Sequence, residues 1–373
     1  MFDVYRTDLY SSTAISSDLI RETPKMTSQQ AWCFLPITAL LLSLLSVHTF
    51  AEVVKSMSDC DHFFLHQTPP HIPGILEYGK ILNQNRYKPI CQTYNNKRRF
   101  VTLYDVQNKI PVFSAFRFVG SIPGKRPKSF WRVEPQLESK TLQNNMVPRD
   151  KNKTYNYQAG DIDYRFNGTF DRGHIFPSSY ALTTSDKLST FTLTNIVPQA
   201  ESFNKGSWNK MERCTKCVME KYCINSSGGT EGFVVTGAQP SLNSKLNNRV
   251  NIPSTLWSAF CCYSATAKAW IASSHWGDNV QDESKNKYLE TKTLEDLHHR
   301  LKMSNSEFIV FPGTQCPLQT TVTKFYPEMI NCHCPPTTSD PSFSLSGSIA
   351  YPPSHLTFIF TLFIYSYHHC LFC

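Results

Sequence analysis

Five polar residues in the middle of the chain have the types and the spacing that phosphodiester hydrolysis requires. They are Arg172 and His174, in an Asp-Arg-Gly-His run at 171–174, and then Asn195, Asn204 and Glu212 at intervals of 21, nine and eight residues. A neutral imidazole accepts a proton from an attacking water near pH 7, which makes His174 the candidate general base. The planar guanidinium of Arg172 is suited to binding a phosphate group.

The remaining residues of this set supply oxygen atoms for a hard metal ion. Mg²⁺ prefers oxygen ligands and keeps most of its waters, so one or two protein oxygens suffice to bind it. Asn204 offers an amide oxygen as a direct ligand, and Glu212 can hold or orient the metal-bound waters. Such an ion stabilises the charge that develops on the phosphate oxygens. The pattern therefore predicts hydrolysis of phosphodiesters with one Mg²⁺ ion, for which Mn²⁺ is a substitute.

The spacing of the later residues predicts the helix that carries the metal. Asn204, Trp208 and Glu212 are spaced i, i+4 and i+8, and residues with this spacing lie roughly along one face of an α-helix. The stretch 202–213 is therefore predicted to be helical, although Gly206 lowers its helix propensity. We expect the base at the end of a strand or turn, facing this helix.

Each of these residues also has an interpretation without catalysis. Asn195 can close a turn, Asn204 can cap a helix, and Trp208 can pack in the core instead of stacking on a base. Glu212 can be an ordinary helix-surface charge, since Arg213 adjoins it. Taken singly, these interpretations are the stronger ones. Five coincidences at this spacing are improbable, so the set as a whole favours a nuclease.

Two stretches of the chain carry a family resemblance. FDRGHIFPSSYAL and FTLTNIVPQAESFNKGSWNKME resemble the DNA/RNA non-specific endonuclease family, whose core is a ββα-metal motif. The resemblance implies an enzyme that cuts DNA and RNA, with His174 as the general base and Arg172 in contact with phosphate. It also implies that Asn204 is the direct metal ligand, that Asn195 positions the site and that Glu212 orients metal-bound water.

The charge of the chain is consistent with a polyanionic partner. Its formal net charge is +8 and its pI is about 8.8. The run Lys97, Arg98 and Arg99 is a candidate substrate-binding segment together with Arg172 and Trp208, and the segment 125–128 is a second basic run. Both runs fit a solvated surface equally well. No segment has the pattern of a helix that reads base edges, so we expect little sequence specificity.

The cysteines predict disulfide bonds. Ten of the 13 cysteines fall in the central region, and they are Cys60, Cys91, Cys214, Cys217, Cys223, Cys261, Cys262, Cys316, Cys332 and Cys334. An even number of cysteines in a secreted domain is typical of disulfides, whose pairing the sequence leaves open. The pair Cys214 and Cys217 has the spacing of a zinc site, but a second pair of this kind is lacking, so disulfides are favoured there too.

The apolar patterns predict an α+β fold. Segments 101–105 and 110–119 have the composition of two strands of a hairpin, and 231–239 and 267–276 are further strand candidates. Segment 283–303 is predicted to be a helix with Tyr288, Leu289, Leu294, Leu297 and Leu301 on one side. Strands and helices without strict alternation favour a central antiparallel sheet flanked by helices, with the ββα-metal nuclease core on it.

Composition divides the chain into three parts. Residues 1–51 are predicted to be an N-terminal extension and a secretory signal that is cleaved after Ala51, with Met26 as an alternative start. Residues 52–334 are the predicted endonuclease domain. Residues 335–373 form a Pro/Ser-rich tail whose short hydrophobic end offers a route to membrane association or a lipid anchor.

The sequence as a whole predicts a secreted or lumenal, Mg²⁺-dependent endonuclease without sequence specificity. Three glycosylation sequons, at Asn152, Asn167 and Asn225, agree with passage through the secretory pathway. Two alternatives stay open. The first is a catalytically inactive nuclease fold that binds nucleic acid or another polyanion. The second is a lumenal scaffold whose disulfide-rich surface is the working part.

Overall fold

The computed structural model describes residues 52–128, 130–165, 168–303 and 306–327, together with Met329, Cys332 and Cys334. The predicted leader, the C-terminal tail and the sequon at Asn167 lie outside the described residues. Within the described ranges, no helix has the length and apolar character needed to cross a membrane.

The secondary structure is mixed. The strands are β1 (Leu76–Glu77), β2 (Lys80–Ile81), β3 (Tyr87–Tyr94), β4 (Lys97–Asp105), β5 (Ile110–Phe118), β6 (Arg132–Val133), β7 (Val147–Pro148), β8 (Phe170–His174), β9 (Ile196–Ala200), β10 (Gly232–Gln239), β11 (Lys245–Leu246), β12 (Val250–Asn251), β13 (Thr255–Ser264) and β14 (Ala269–Asp278). The helices are α1 (Pro135–Glu138), α2 (Thr184–Ser189), α3 (Glu201–Phe203), α4 (Asn209–Tyr222) and α5 (Leu294–Leu301), with a π-helical turn (Asn204–Trp208) between α3 and α4. Short 3₁₀ turns lie at Met57–Phe63, Leu65–Gln67, Asp161–Tyr164, Ser178–Tyr180, Leu193–Asn195 and Val322–Lys324.

A six-stranded sheet forms the centre of the fold, in the order β14-β13-β10-β5-β4-β3. Its neighbouring strands are all antiparallel. The predicted hairpin is confirmed as β4 and β5, and the other two strand candidates correspond to β10 and β14. The predicted α+β class with a central antiparallel sheet is therefore confirmed.

Helices cover the two faces of this sheet because side chains alternate along each strand. Phe116, Val234 and Phe260 stand opposite one another on β5, β10 and β13, and they pack with Val218 and Met219 of α4. The next residues along these strands face the other way, and α5 packs there through its buried leucines Leu294, Leu297 and Leu301.

The ββα unit lies beside this sheet. β8 and β9 are paired antiparallel, with Asp171 opposite Gln199 and His174 opposite Ile196. β9 leads directly into α3, the π-helical turn and α4, which follow one another without a break and are together called the site helix (residues 201–222). Strand β8, which carries the Asp-Arg-Gly-His run, therefore faces the helix that carries the predicted metal ligand, and Asn204 donates a hydrogen bond to Asp171.

All ten central cysteines form disulfides. Cys261 and Cys262 are neighbours on β13 and point to opposite faces, so they bond to different partners, Cys316 and Cys223. The remaining bonds join Cys60 to Cys91, Cys214 to Cys334 and Cys217 to Cys332. The disulfides favoured for Cys214 and Cys217 are therefore confirmed, and the zinc alternative is excluded. Their partners lie 120 and 115 residues further along the chain. Two disulfides attach the site helix to cysteines near the end of the described chain, and a third binds Cys223, the residue that follows this helix.

The long helix predicted at 283–303 is wrong over its first half. Helix α5 begins only at Leu294, where Thr293 and Asp296 form a capping box. Before it, the backbone of Lys292 pairs with that of Ser274 on edge strand β14, with both N···O distances at 2.8 Å. This pairing satisfies backbone groups at the sheet edge that a helix would leave open. Tyr288 accordingly lies outside the helix and is 42% exposed.

Candidate functional site

One cleft brings together four of the five residues predicted for catalysis and metal binding. It has a volume of about 570 Å³, and its walls include Arg172, His174, Asn204 and Glu212. The end of β8 supplies the first two residues and the site helix supplies the others. Asn195 and Trp208 lie outside the cleft lining, and both are buried.

His174 is held between aromatic rings at the end of β8. Its ring centroid lies 5.4 Å from that of Trp131 and 5.0 Å from that of Phe191, which it meets edge-on. Burial lowers the pKa of His174 to about 3, and the charge of Arg126 acts in the same direction. Its Nε2 atom is buried and has no hydrogen-bond partner among the described residues. The imidazole is therefore neutral at physiological pH, the form in which one of its two ring nitrogens can accept a proton.

Asn195 is fully buried and is hydrogen-bonded to the residues that follow strand β8. Its Nδ2 donates to the carbonyl oxygens of Phe176 (3.0 Å) and Thr190 (3.1 Å). Its Oδ1 accepts from the Phe176 amide at 2.9 Å and from the Ser114 hydroxyl at 3.1 Å. Because Phe176 follows His174 by two residues and Ser114 belongs to β5, this amide ties the end of β8 to the central sheet.

Arg172 lies in the cleft with its orientation determined by three contacts. Its guanidinium carbon lies 5.5 Å from the centroid of Trp131 and 5.4 Å from that of Tyr164. One terminal nitrogen donates to Asp161 Oδ1 at 2.9 Å. A planar cation that is stacked and anchored in this way keeps a fixed direction for a phosphate.

Asp161 is a buried carboxylate shared by three arginines. Besides Arg172 it pairs with Arg149, and Arg165 lies 4.0 Å away. Its side chain is only 7% exposed, so removing its charge would leave partly buried guanidinium groups without their partner. The sequence interpretation did not identify this residue. An aspartate ten residues before the motif carries no signal of its own.

We expect Asp161→Asn to lower kcat about tenfold on a nucleic acid substrate, because Arg172 loses the anchor that directs it into the cleft. Asp163→Asn is the matched control, since Asp163 is equally buried but pairs with Arg249 at 2.7 Å. Steady-state kinetics of both variants, with melting curves to correct for unfolded protein, measure the difference. Equal losses in the two variants would show that Asp161 acts only through stability.

The π-helical turn places Asn204 near the start of the site helix. Asp282 reaches into this turn, where its two carboxylate oxygens accept from the Ser207 amide and hydroxyl, each at 2.8 Å. A Cβ atom on Gly206 would lie 2.4 Å from Asp282 Oδ2. Gly206 lowers the helix propensity of this segment, but its lack of a side chain lets Asp282 approach. The Asp282 carboxylate can then accept the hydrogen bond of the Ser207 amide in the widened turn.

Asn204 is oriented by Asp171 across the cleft. Its amide nitrogen donates to Asp171 Oδ2 at 2.9 Å, and a carboxylate can only accept, so the amide oxygen must be on the other side. No donor among the described residues bonds to that oxygen. Lys205 also reaches Asp171 Oδ2, at 3.4 Å.

The oxygen donors of the cleft fit a hard divalent ion. Among the described residues, no group of three or more His, Cys, Asp or Glu side chains is arranged to hold a metal. The Asn204 amide oxygen and the carboxylates of Asp171 and Glu212 line the same cleft. Such a set suits an ion that keeps most of its waters, as Mg²⁺ does, and does not suit a zinc site closed by nitrogen and sulfur ligands.

Trp208 supports Glu212 from the core. It is 1% exposed and packs in the hydrophobic cluster beneath the ββα unit, so it cannot stack on a base from this position. Its indole nitrogen donates to Glu212 Oε1 at 3.0 Å, as the i, i+4 spacing permits. Burial raises the pKa of Glu212 to about 8, with the indole and Arg126 acting against this rise.

Glu212→Gln is expected to change how stability depends on pH in metal-free protein. Between pH 4.5 and 8, folded Glu212 keeps a proton that the unfolded chain has lost, so wild-type stability falls as pH rises through this window. The variant lacks this titration, and its melting temperature should fall by several degrees less between pH 5 and pH 8. Thermal melts in EDTA at the two pH values measure this. An identical slope for both proteins would contradict the assignment.

The two basic runs occupy different places. Lys97, Arg98 and Arg99 begin β4 and do not line the cleft, and Arg99 pairs with Asp186 at 2.6 Å. Arg126, from the second run, does line the cleft and lies 5.2 Å above the Phe191 ring. The sequence had indicated both runs as candidates for contact with a phosphate backbone, and of the two the second reaches the cleft.

Lysines on the cleft walls were also missed. Lys187, Lys205 and Lys216 line the cleft together with Arg126 and Arg172. Lys205 and Lys216 are separated on the site helix and Lys187 comes from α2, so the three do not form a continuous run of charge. Together they give the cleft the cationic lining that a phosphate backbone requires.

Comparisons with known proteins identify relatives that are named as nucleases. Two curated relatives, the endonuclease domain-containing 1 proteins of Homo sapiens and Mus musculus, are each 28% identical to this chain, and each alignment covers 62% of this chain and 44% of the relative. The chain thus spans less than half the length of these relatives. A protein named Nuclease from a Nostoc species is 36% identical over 90 residues, which are 24% of this chain and 30% of that protein.

A solved structure and a family pattern complete the comparison. The crystal structure of a complex of EndoG and EndoGI is 19% identical, with a TM-score of 0.41 over 55% of this chain and 82% of that chain. Residues 79–304 match the sequence pattern described as DNA/RNA non-specific endonuclease. Since that match covers more than half of the chain, and the Asp-Arg-Gly-His strand and the site helix lie within it, the protein belongs to the DNA/RNA non-specific endonuclease family.

Proposed function

We propose that this protein is a secreted or lumenal endonuclease that hydrolyses DNA and RNA phosphodiesters without sequence specificity. The observation that carries the proposal is the neutral, unbonded Nε2 of His174 in a cleft that also contains Arg172, Asn204 and Glu212. Family membership supports a nuclease in general terms. The cationic walls suit a phosphate backbone, and none of the described elements is shaped to read base edges, which supports cleavage independent of sequence.

The residues of the chain have separable tasks in this reaction. His174 Nε2 accepts the proton of the attacking water. Arg172, directed by Asp161, binds the phosphate and stabilises its added negative charge. Asn195 keeps the strand end that carries the base in register with the sheet. Trp208 holds one oxygen of Glu212 and leaves the other for the cleft.

We propose Mg²⁺ as the physiological cofactor, with Mn²⁺ as a substitute. Asn204 would hold the ion and Glu212 would act on its hydration shell, in agreement with the oxygen-only donor set. When bound, the ion supplies Lewis-acid stabilisation of charge on the phosphate oxygens. Asp171 keeps the Asn204 oxygen turned toward that position by holding the amide nitrogen.

Secretion is supported by three independent features. The sequence of residues 1–51 has the pattern of a leader, and the five disulfides need an oxidising compartment to form. Asn152, in one predicted sequon, is exposed, and Asn225, in another, lies partly exposed in a turn. Both are open to a glycan. Peptide mapping of protein secreted from cultured cells tests these sites.

A plasmid-nicking assay tests the proposed activity. The protein is produced through an oxidising secretory route and incubated with supercoiled plasmid and with single-stranded RNA, in Mg²⁺, Mn²⁺ or EDTA. Nicking that needs the divalent ion supports the proposal. A folded protein that binds plasmid but cuts neither substrate with either ion would instead support an inactive nucleic-acid-binding module. Absence of both binding and cutting would favour a scaffold.

We expect Arg126→Ala to lower kcat/KM for nucleic acid about 100-fold, because Arg126 adds positive charge between the base and the acid of the cleft. Lys97→Ala removes the same charge from an exposed position outside the cleft and serves as the control. Initial rates at two salt concentrations separate the effects, since a loss that high salt abolishes reflects backbone attraction alone. Equal rates for the two variants would exclude the role given to Arg126.

A further inference from the structure

Two carboxyl groups are buried together away from the cleft, and one of them belongs to Glu52, the first described residue. Glu52 and Glu134 both have zero exposure, and the pKa of Glu52 is raised well above its ordinary value by burial and by the nearby charge of Glu134. Glu134 Oε1 accepts from the hydroxyls of Thr192 (2.7 Å) and Thr194 (3.1 Å), and Glu52 Oε1 accepts from the Thr93 amide at 3.4 Å. Oε2 of each glutamate is buried without a partner among the described residues. Each of these hydrogen-bond donors to the two carboxyl groups is therefore an uncharged amide or hydroxyl.

In the part of the chain that the structure describes, no cationic side chain is bonded to either carboxyl group of this pair. Arg132 is the basic side chain whose charge acts on Glu134. Its guanidinium instead donates to the carbonyls of Phe130 and Leu188 and to the hydroxyl of Tyr94. Burying carboxylates is costly unless a positive charge accompanies them, so the pair either holds a shared proton or has a missing cationic partner.

The backbone of Glu52 is already anchored next to this pair. Its amide nitrogen donates to Gln136 Oε1 at 2.7 Å, and its carbonyl oxygen accepts from the Cys91 amide at 2.7 Å. The Val53 amide also donates to Gln136 Oε1, at 3.0 Å, and Val53 forms a bridge with Ile90 on β3. The chain is therefore part of the sheet edge from Glu52 onward.

We propose that the mature chain begins at Glu52 and that its α-ammonium group is the cation of the buried Glu52–Glu134 carboxyl pair. An endoprotease of the signal-peptidase type would hydrolyse the bond between Ala51 and Glu52, so that one water yields the Ala51 carboxylate and the Glu52 ammonium. Covalent geometry keeps this nitrogen within about 5 Å of the carboxyl carbon of the same residue. Gln136 Oε1 already accepts a hydrogen bond from it.

The ion pair would connect processing of the leader to the stability of the site. Thr192 and Thr194, which bond to Glu134, belong to the turn that leads into Asn195, and the Asn195 amide donates to the Thr192 carbonyl at 3.0 Å. Asn195 in turn clamps the strand end that carries His174. Removal of the leader would therefore strengthen the support behind the cleft. This inference rests on the proposed secretory leader and is independent of catalysis.

The test compares two proteins that differ by one residue at the N terminus. One runs from Glu52 to Cys373 and the other from Ala51 to Cys373, both released from a fusion partner by a protease that leaves no extra residue. Retaining Ala51 moves the ammonium by one residue, about 3.8 Å along the chain, and restores a neutral amide at Glu52. We expect the form that begins at Glu52 to melt about 5 °C higher at pH 7.

Two further measurements make the result decisive. Glu134→Gln in both proteins should reduce the difference between their melting temperatures, and Glu52→Gln serves in the same way if the first variant does not fold. Mass spectrometry of protein secreted from cells should give Glu52 as the first residue. Equal melting temperatures for the two parent proteins, or a mature chain that begins elsewhere, would overturn the proposal. Neither readout involves nucleic acid, so an inactive nuclease leaves this test unaffected.

Discussion

Replacement of His174 by alanine is expected to lower the rate of DNA cleavage about 10³-fold while the protein remains folded. The imidazole is held between Trp131 and Phe191, and its Nε2, the proposed base, is buried and has no hydrogen-bond partner among the described residues. Because that nitrogen has no protein partner to abandon, its loss leaves a cavity but no orphaned polar group. Single-turnover cleavage of a plasmid, with melting curves on the same samples, measures both effects.

Two controls separate catalysis from folding for His174. Added imidazole should restore part of the activity of the alanine variant, because the vacated space between the two rings has the size of the lost group. His275→Ala provides the matched control, since His275 is 3% exposed and lies on β14 outside the cleft. Activity within a few-fold of wild type in His174→Ala would falsify the general-base assignment.

Asn204→Ala is expected to reduce activity about 100-fold at low Mg²⁺ and to shift the half-saturating Mg²⁺ concentration upward by a similar factor. Asp171 accepts a hydrogen bond from the amide nitrogen of Asn204, so the amide oxygen of Asn204 points away from Asp171. The alanine variant removes this oxygen. High Mg²⁺ should then recover part of the rate. Rate measurements over a Mg²⁺ titration, with calorimetric binding of the ion to the same proteins, give both quantities.

Asn209→Ala is the matched control for Asn204. Asn209 also lines the cleft, one turn further along the site helix, and it carries the same side chain. A metal-ligand role predicts that only the Asn204 variant changes the Mg²⁺ dependence. If both variants lose activity equally at an unchanged Mg²⁺ midpoint, Asn204 contributes shape or substrate contact instead of binding the ion.

Local patterns predicted the elements that lie on the central sheet. The strands β4 and β5 were recognisable because alternating apolar residues flank a short polar turn, and such contacts are close in sequence. The helix at 283–303 failed for the opposite reason. Its apolar spacing suited a helix, but backbone pairing between Lys292 and Ser274 supplied a better arrangement for the first half, and that pairing depends on a strand elsewhere in the chain.

The cysteines show the same division. Their number and the leader-like N terminus indicated disulfides, but pairing depends on which side chains the fold brings within bonding distance. Cys261 and Cys262 illustrate this, since adjacent positions on a strand must bond on opposite faces. That consequence follows only once the strand and the two layers around it are known.

The sequence by itself determined the family and predicted the candidate site residues, because His174, Arg172, Asn204 and Glu212 belong to short segments with a recognisable spacing. Only the tertiary structure decided which other groups act on them. Asp161, Arg126 and Lys187 come from other segments of the chain, and Trp208 faces the core. The physical reason is that charge, burial and hydrogen-bond partners are set by neighbours in space, which a linear pattern does not specify.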